Sequence, residues 1–495
     1  MTRLLSLVLP LLPCFVTPLV AAGLAGSRPN IVFVLTDDQG KGDLACHGHP
    51  FLRTPHLDRL YAQSTRFTDF HVSPTCSPTR SALMSGRHEF MNGVSHTMFE
   101  RERLTLKATT VAEVLHRAGY ATGIFGKWHL GDEEAYQPYR RGFDESFIHG
   151  AGGIGQKYDS SCADAPPNSE TPRRYFDPVI NHNGRFVQTK GYCTDLFFEA
   201  ALGWMKARAR GGKPFLAYIT PNAPHFPHIA PAPARQRFIE MGFDVETATR
   251  WAMIENIDDN VGRLLARLTE WKLEEKTLVI FMTDNGQAGG SRRGERHGQP
   301  MSMDFSGFKS AKNSPHEGGT NVPSFWQWRG VLPEGRDVPR LAAHIDVFPT
   351  FVALAGAALP GGNQVRGRNL LPLLENPDAH WADRHLFVHS GRWPKGAAIE
   401  SFKFKSCAVR SARFRFVNNK ELYDIAADPF EKHNVFERHP QVVAELRAAY
   451  DRWWTEALTL LDNEQVPDSP VRPYWERYDK QRAAGGIPVW TPPPL

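Results

Sequence analysis

Three sets of residues in this 495-residue chain have types and spacings suited to chemistry. The first is Cys76-Ser-Pro-Thr-Arg80. Pro78 lies just past the cysteine and Ser81-Ala-Leu-Met84 continues with helix-compatible residues, so Cys76 is expected at a helix N-terminus. Such an end presents free N–H groups and partial positive charge, which suits an anion. Arg80, about one turn further in, adds a permanent cation. A structural cysteine at the head of a helix accounts for the pentapeptide equally well. The second set is Asp37-Asp38 with Asp284-Asn285. Hard oxygen donors of this kind suit Ca²⁺ or Mg²⁺ and not a thiophilic metal. One such pair reads as a turn or cap; two pairs, each closing an apolar run, favour a divalent site. The third set is Lys127, His129, His225 and Lys312. Taken singly these are ordinary structural histidines and solvated lysines. Lys127 and His129 have period-two spacing and on a strand would face the same side. His225 sits in Ala223-Pro-His-Phe-Pro227, a rigid loop, and Lys312 precedes Glu317-Gly-Gly319, expected to be a tight turn.

These residues need elements to position them. Four short apolar runs end in the groups just named: Pro29 to Asp38, Tyr120 to His129, Pro214 to Asn222 leading to His225, and Thr277 to Asn285. Each reads as a buried strand with polar residues at its carboxyl tip. In open α/β sheets the ligand sits beyond those tips, so four of them imply one shared site. Helical patterns intervene at Thr110–Gly119 and at Trp251–Trp271, where Met253, Ile254, Ile257, Val261, Leu264 and Leu265 share one side. Strands and helices alternating in this way predict an α/β fold with a mainly parallel sheet covered on both faces. Residues 150–192, rich in Gly, Pro, Ser and Asn, read as a long ordered insertion, and 286–308 is also polar and glycine-rich. Composition changes near residue 385. Phe402–Cys407 and Arg413–Val417 alternate like antiparallel strands, and Val442–Leu458 reads as an amphipathic helix. The division expected is a leader at 1–25, a large domain at 26–385 and a smaller C-terminal α+β lobe with an antiparallel sheet at 386–495.

Arg3, the apolar run Leu4–Val20 and the small residues Ala21, Ala22 and Gly23 have the layout of a secretory signal peptide, cleaved somewhere near residues 21–26. The alternative, an uncleaved anchor, is weakened by Pro10, Pro13 and Pro18. No later stretch approaches spanning length, so no stable membrane insertion is expected after cleavage, and the location is secreted or periplasmic. A net charge of +5 without a run of Lys and Arg argues against nucleic acid as a partner. Six cysteines occur, and removal of Cys14 with the leader leaves five. An odd cysteine in an exported protein calls for its own explanation. Cys162 and Cys193 are candidates to pair across the insertion; connectivity is not readable from sequence.

Together the segments resemble the type I, formylglycine-dependent sulfatases of the alkaline phosphatase superfamily. The matching pieces are Thr36-Asp-Asp-Gln39, Cys76-Ser-Pro-Thr-Arg80, Ser85-Gly-Arg87, Gly126-Lys-Trp-His-Leu-Gly131, Ala223-Pro-His225, Thr283-Asp-Asn-Gly286, and Lys312 with Glu317-Gly-Gly319. Glu421-Leu-Tyr-Asp424, Asp428-Pro429 and Asn434-Val435 are similar to the family's C-terminal lobe. The likeness spans nearly the whole mature chain in the family's order.

The resemblance implies an alkaline phosphatase-like sheet sandwiched by helices, and hydrolysis of a sulfate ester. It implies oxidation of Cys76 to formylglycine by a maturation enzyme that reads Cys-x-Pro-x-Arg. Asp37, Asp38, Asp284 and Asn285, with residue 76, would hold one Ca²⁺, Mg²⁺ being the less favoured ion. Arg80, Lys127 and Lys312 would bind sulfate or support the aldehyde hydrate; His225 would also meet substrate, and His129 and His225 would handle protons. Conversion of Cys76 also resolves the odd cysteine count. Thr79 stands where many members have serine or alanine, and His316 where tyrosine is common. The substrate expected is a sulfated carbohydrate or small molecule, with aryl sulfates as artificial substrates. The rivals are a phosphate or phosphonate ester hydrolase of the same superfamily and a non-catalytic carbohydrate-binding or scaffold protein.

Overall fold

Among the described residues, ten strands form one mixed sheet, and the four site-bearing segments lie side by side at its centre. A computed structural model describes residues 23–154, 175–467 and 472–495. Nearly all of the expected leader, and Cys162 with its expected pairing to Cys193, fall outside those residues. Across the sheet the strands run Arg336–Val338, Thr65–Phe67, Ser324–Gln327, Thr277–Thr283, Asn30–Thr36, Phe215–Thr220, Ala121–Lys127, Glu145–His149, Val179–His182 and Arg185–Gln188. The five from Thr277–Thr283 through Glu145–His149 are mutually parallel. Antiparallel pairs appear only towards the edges.

The strands are apolar throughout because both faces are covered. Ile31, Phe33 and Leu35 join the core on one side and Val32 and Val34 the core on the other, as a two-residue repeat requires. One face carries the helices Val111–Arg117 and Val347–Leu354; the other carries Cys193–Ala209 and Val245–Glu270. Thr110 and Glu113 close the start of the first with a capping box. The long helix begins six residues before the Trp251 at which its periodicity is legible. Asp244 accepts from the Thr247 N–H at 2.8 Å and starts it there, ahead of the apolar stripe.

Register aligns the tips. Thr36 pairs with Thr283 and Gly126 with Thr220, so Asp37, Asp284 and Lys127 leave the sheet at one end. The edge hairpin Val179–His182/Arg185–Gln188 lies in the expected insertion. It is covered by the helix Pro473–Gly485, with Phe186 5.0 Å from Tyr474, and Gln188 exchanges backbone bonds with Pro488 and Trp490. Covering an edge in this way blocks pairing with another chain.

The C-terminal segment forms a four-stranded antiparallel sheet, Leu386–His389, Cys407–Arg410, Phe414–Val417 and Glu421–Asp424, packed against the helix Pro440–Leu458. The strand expected over Phe402–Cys407 starts only at Cys407. Phe402 ends a 3₁₀ turn, and Phe404 (φ 60°) and Ser406 (φ 52°) adopt left-handed conformations that no strand can include. Among the described residues, no helix is long and apolar enough to cross a membrane.

Candidate active site

Cys76 is the first residue of the helix Cys76–Ser85, as its sequence predicts. Thr75 precedes it in extended conformation without capping through its side chain, which leaves N–H groups of the first turn for another acceptor. Every residue of this helix is buried. Thr79, one of the two departures from the family pattern, donates its hydroxyl to the Ser73 carbonyl at 3.1 Å.

Around Cys76 the strand tips deliver the expected residues. One donor atom from each of Asp37, Cys76 and Asp284 lies within 4.8 Å of the others, and so do donor atoms of Asp37, Asp38 and His225. Arg80 donates from Nη2 to Asp284 at 2.8 Å and from Nη1 to the Lys127 carbonyl at 3.0 Å. Lys127 Nζ donates to Asp37, and Lys312 Nζ to Asp38. Asn285 donates to Asp38 at 2.8 Å. His225 Nε2 lies 3.7 Å from Asp38, and Tyr175 donates its hydroxyl to the His225 carbonyl at 3.0 Å. His129 is buried beside this group, with Nε2 3.0 Å from the Thr97 carbonyl.

Lys127 and His129 do not owe their meeting to strand periodicity. The strand ends at Lys127, and His129 has φ 59°, so the chain has turned before it presents the ring. Glu317-Gly-Gly319 is a single helical turn, Glu317–Thr320. His316, the second departure, bonds Glu431 through Nδ1 at 2.9 Å, away from the strand tips.

Three positions that sequence reading passes over hold this constellation in place. Arg250 spans from its helix to Asp43, bonding Oδ1 at 2.8 Å, and reaches the Asp38 carbonyl at 3.3 Å; Asp43 in turn accepts from the Gly40 N–H at 2.7 Å. This buried pair fixes the loop after Asp38. Glu102 stands 3.2 Å from His129 Nε2. All three come from separate segments, so no local pattern marks them.

The electrostatics are uneven. Burial opposes the charge on Asp37, but Lys127, His225, Arg80 and Lys312 outweigh it and hold the carboxyl well below the usual range. Asp38 is likewise lowered, against burial, by Lys312 and His225. Asp284 goes the other way. Burial and the nearby charge of Asp37 lift it well above the usual range despite Arg80. Burial holds His225 down to about 4, with Lys312 and Lys127 acting in the same direction against Asp38 and Asp37. Asp37 Oδ1 and Asn285 Oδ1 are buried without a hydrogen-bond partner. Acceptor oxygens crowded and unpaired in this way, beside a carboxyl that resists ionising, form a set that a hard divalent cation satisfies. Three cations and an adjacent helix start can neutralise a tetrahedral anion next to residue 76.

The family model described as Sulfatase matches residues 29–357, two thirds of the chain. This chain belongs to the sulfatase family. It is a sulfuric ester hydrolase. A second family, described as N-sulphoglucosamine sulphohydrolase, C-terminal, matches residues 311–453. Human arylsulfatase G is 33% identical over 70% of this sulfatase and 69% of the relative. Dog N-acetylgalactosamine-6-sulfatase is 31% identical over 78% and 74%. Among solved structures, Ps i-CgsB in complex with k-i-k-neocarrahexaose superposes with a TM-score of 0.74 at 26% identity, covering 92% of this chain and 97% of that one. BT4656 with D-glucosamine-2-N,6-O-disulfate shares the fold, with a TM-score of 0.67 at 20% identity over 89% and 100% of the two chains.

Proposed function

We propose that this sulfatase hydrolyses sulfate esters of carbohydrates, using a formylglycine made from Cys76 and a Ca²⁺ held by Asp37, Asp38, Asp284, Asn285 and residue 76. The observation that carries the reading is the meeting of four oxygen-donor side chains, two of them with orphaned buried oxygens, at a cysteine that heads a helix within the Cys-x-Pro-x-Arg signal. The donor set contains no thiolate once residue 76 is converted, and it fits Ca²⁺ better than a softer metal. Hydrated formylglycine supplies two hydroxyls on one carbon, one to attack sulfur and one whose proton loss lets sulfate leave; serine has no second hydroxyl. The cation would draw charge from the sulfate oxygens.

The chain's own residues do the rest. Lys127, Lys312 and Arg80 offset the negative charge that gathers on the sulfate oxygens. Asp284 receives the proton of the attacking hydroxyl. His225, aided by Lys312, donates a proton to the departing alcohol oxygen. His129 takes the proton of the second hydroxyl. A sulfated carbohydrate fits the similarity to N-acetylgalactosamine-6-sulfatase and to a neighbour bound to k-i-k-neocarrahexaose. In this reading the chain is exported through residues 1–25, meets its maturation enzyme on the way, and acts as a secreted or periplasmic enzyme. Residues 26–385 form the catalytic domain, and 386–495 a lobe that helps shape the leaving-group pocket.

Co-matured protein is assayed against a panel of sulfated glycans and against matched phosphate esters. The reading predicts sulfate release from at least one glycan and faster turnover of sulfate than phosphate esters. Phosphate turnover exceeding sulfate turnover would contradict it. Cys76→Ser should lose turnover by about 10³-fold or more, and full activity in that variant would sink the mechanism.

A further inference from the structure

Glu102 is a buried carboxylate to which the proposed chemistry assigns no step. It ends the 3₁₀ turn Phe99–Glu102, and its side chain is 4% exposed. Its Oε2 lies 3.2 Å from Nε2 of His129, whose side chain is 1% exposed. The same Nε2 lies 3.0 Å from the Thr97 carbonyl oxygen.

A carbonyl oxygen can only accept. Nε2 must therefore carry the proton, and in the neutral ring Nδ1 holds the lone pair. Nδ1 is buried and has no hydrogen-bond partner. The ring is thus held by its donor nitrogen on the Thr97 carbonyl, with Glu102 Oε2, itself buried and without a hydrogen-bond partner, at ion-pair distance, and with its basic nitrogen unspent. The segment that does this is tied to the nucleophile. Ser77, next to Cys76, donates its hydroxyl to the His96 carbonyl at 2.9 Å, and Arg80 bonds the Lys127 carbonyl two residues before His129. Arg101 anchors the turn from the other side through the Trp393 carbonyl at 2.6 Å.

We propose that Glu102 is a positioning residue for His129: its carboxylate beside Nε2 adds to the Thr97 carbonyl in favouring the tautomer with Nδ1 as the proton-accepting atom, and it stabilises the imidazolium formed when that atom is protonated. The inference rests on the reading of His129 as the base for the second hydroxyl of residue 76. In that step the O–H bond breaks and an N–H bond forms at Nδ1. The O–H electron pair becomes the carbonyl bond, and the carbon–oxygen pair leaves with sulfate. The ring ends positively charged in a buried place, and burial and Lys127 both disfavour that charge. Glu102 supplies the opposing negative charge. Lys127 and His96 also act on the ring electrostatically, and Asp132 and Glu133 on Glu102. Burial and those two acids push Glu102 up to about 7, against His129, so its carboxylate is most readily formed when the imidazolium appears beside it.

The test uses full-length Glu102→Gln, which keeps the shape and removes the charge, with three readouts. Nitrogen-15 NMR of histidine-labelled protein, carrying unmodified Cys76 and therefore independent of catalysis, should show the Nε2–H tautomer of His129 in the wild type and a lower His129 pKa in the variant. In matured enzyme, kcat should fall by roughly 10²-fold while the initial burst of alcohol persists, because the first half-reaction does not use His129. The acid limb of the kcat profile should move to lower pH. In a His129→Ala background Glu102→Gln should cost nothing further, which a merely structural carboxylate would not satisfy. An unchanged His129 pKa in the variant, or equal losses in both backgrounds, would overturn the proposal. Wild-type enzyme that releases no sulfate from any ester would instead overturn the reading of the site while leaving the NMR result standing.

Discussion

Two buried polar clusters in this molecule are built from the same residue types and end in opposite states. One is the seam between the large sheet and the C-terminal sheet. There Arg415 bonds Glu317 through Nη2 at 2.8 Å and through Nε at 3.2 Å, and reaches Thr320 and the Pro315 carbonyl. Glu317 accepts also from Asn321, and Glu431 accepts from His316 and from the Glu317 N–H. The other is the cluster at the strand tips, where Asp37 Oδ1, Asn285 Oδ1 and His129 Nδ1 find no partner. A buried polar group without a partner costs about 1–3 kcal/mol, and here three such atoms gather beside Cys76, where another group can complete the set. The satisfied cluster joins the two sheets; the unsatisfied one is where the proposed chemistry takes place.

The comparison breaks most visibly through substitutions that separate activity from stability. Asp284→Asn should lower turnover by about 10³-fold or more. Burial and Asp37 disfavour its charge, so in the metal-free protein the amide should cost less stability than breaking a buried ion pair ordinarily does, although Arg80 loses a charged partner. It should also abolish the rise in melting temperature that Ca²⁺ is expected to give the wild type. Denaturant titration, thermal melts with and without Ca²⁺ and a sulfate-release assay measure the three. Loss of stability in step with activity would merge the two clusters into one structural role.

Arg415→Met is the converse. It strips the buried Glu317 carboxylate of its nearest cation, leaving Arg410 Nε 3.5 Å away, and should cost up to about 3–5 kcal/mol of stability. The activity of the fraction that stays folded should change far less than in Asp284→Asn. Adding Glu317→Leu should restore part of the loss, because the carboxylate that lost its nearest cation is then gone, while Glu431 keeps His316 and Arg410 keeps Asp69. Chemical denaturation of the single and double variants decides this.

A smaller effect comes from Glu89, 1% exposed, whose carboxyl burial pushes up to about 7 from an ordinary 4.5. A folded-state pKa above the unfolded one means that the protonated form favours the fold. That contribution is fully present below about pH 4.5 and is lost as pH rises through 7, a change of about 3 kcal/mol. Glu89→Gln should flatten the fall in stability over this window while leaving the response above pH 8 unchanged. An identical pH profile in the variant would place the titration elsewhere.

The parts of this account that lie within a few consecutive residues were legible in the sequence. Apolar runs ending in Asp37-Asp38, Lys127 and Asp284-Asn285 announce buried strands with polar tips, and Pro78 after Cys76 announces a helix start. The mainly parallel sheet follows from their alternation with helices. What was not legible depends on register and on contacts between distant segments. Glu102 sits between Arg101 and Arg103 in a charged stretch that looks like surface, and only the fold brings it to His129. Arg250 lies in the middle of an amphipathic helix, and its meeting with Asp43 joins segments 207 residues apart. The left-handed residues Phe404 and Ser406, which delay a strand, carry side chains that give no warning of it.

The central claim is that residue 76 ceases to be a cysteine in the working enzyme. Mass spectrometry of the peptide spanning residue 76, taken from protein of measured specific activity, tests it directly. The account predicts the aldehyde or its hydrate in a fraction that rises in proportion to activity across preparations matured to different extents. A fully active preparation whose peptide carries only the unmodified Cys76 thiol would contradict it.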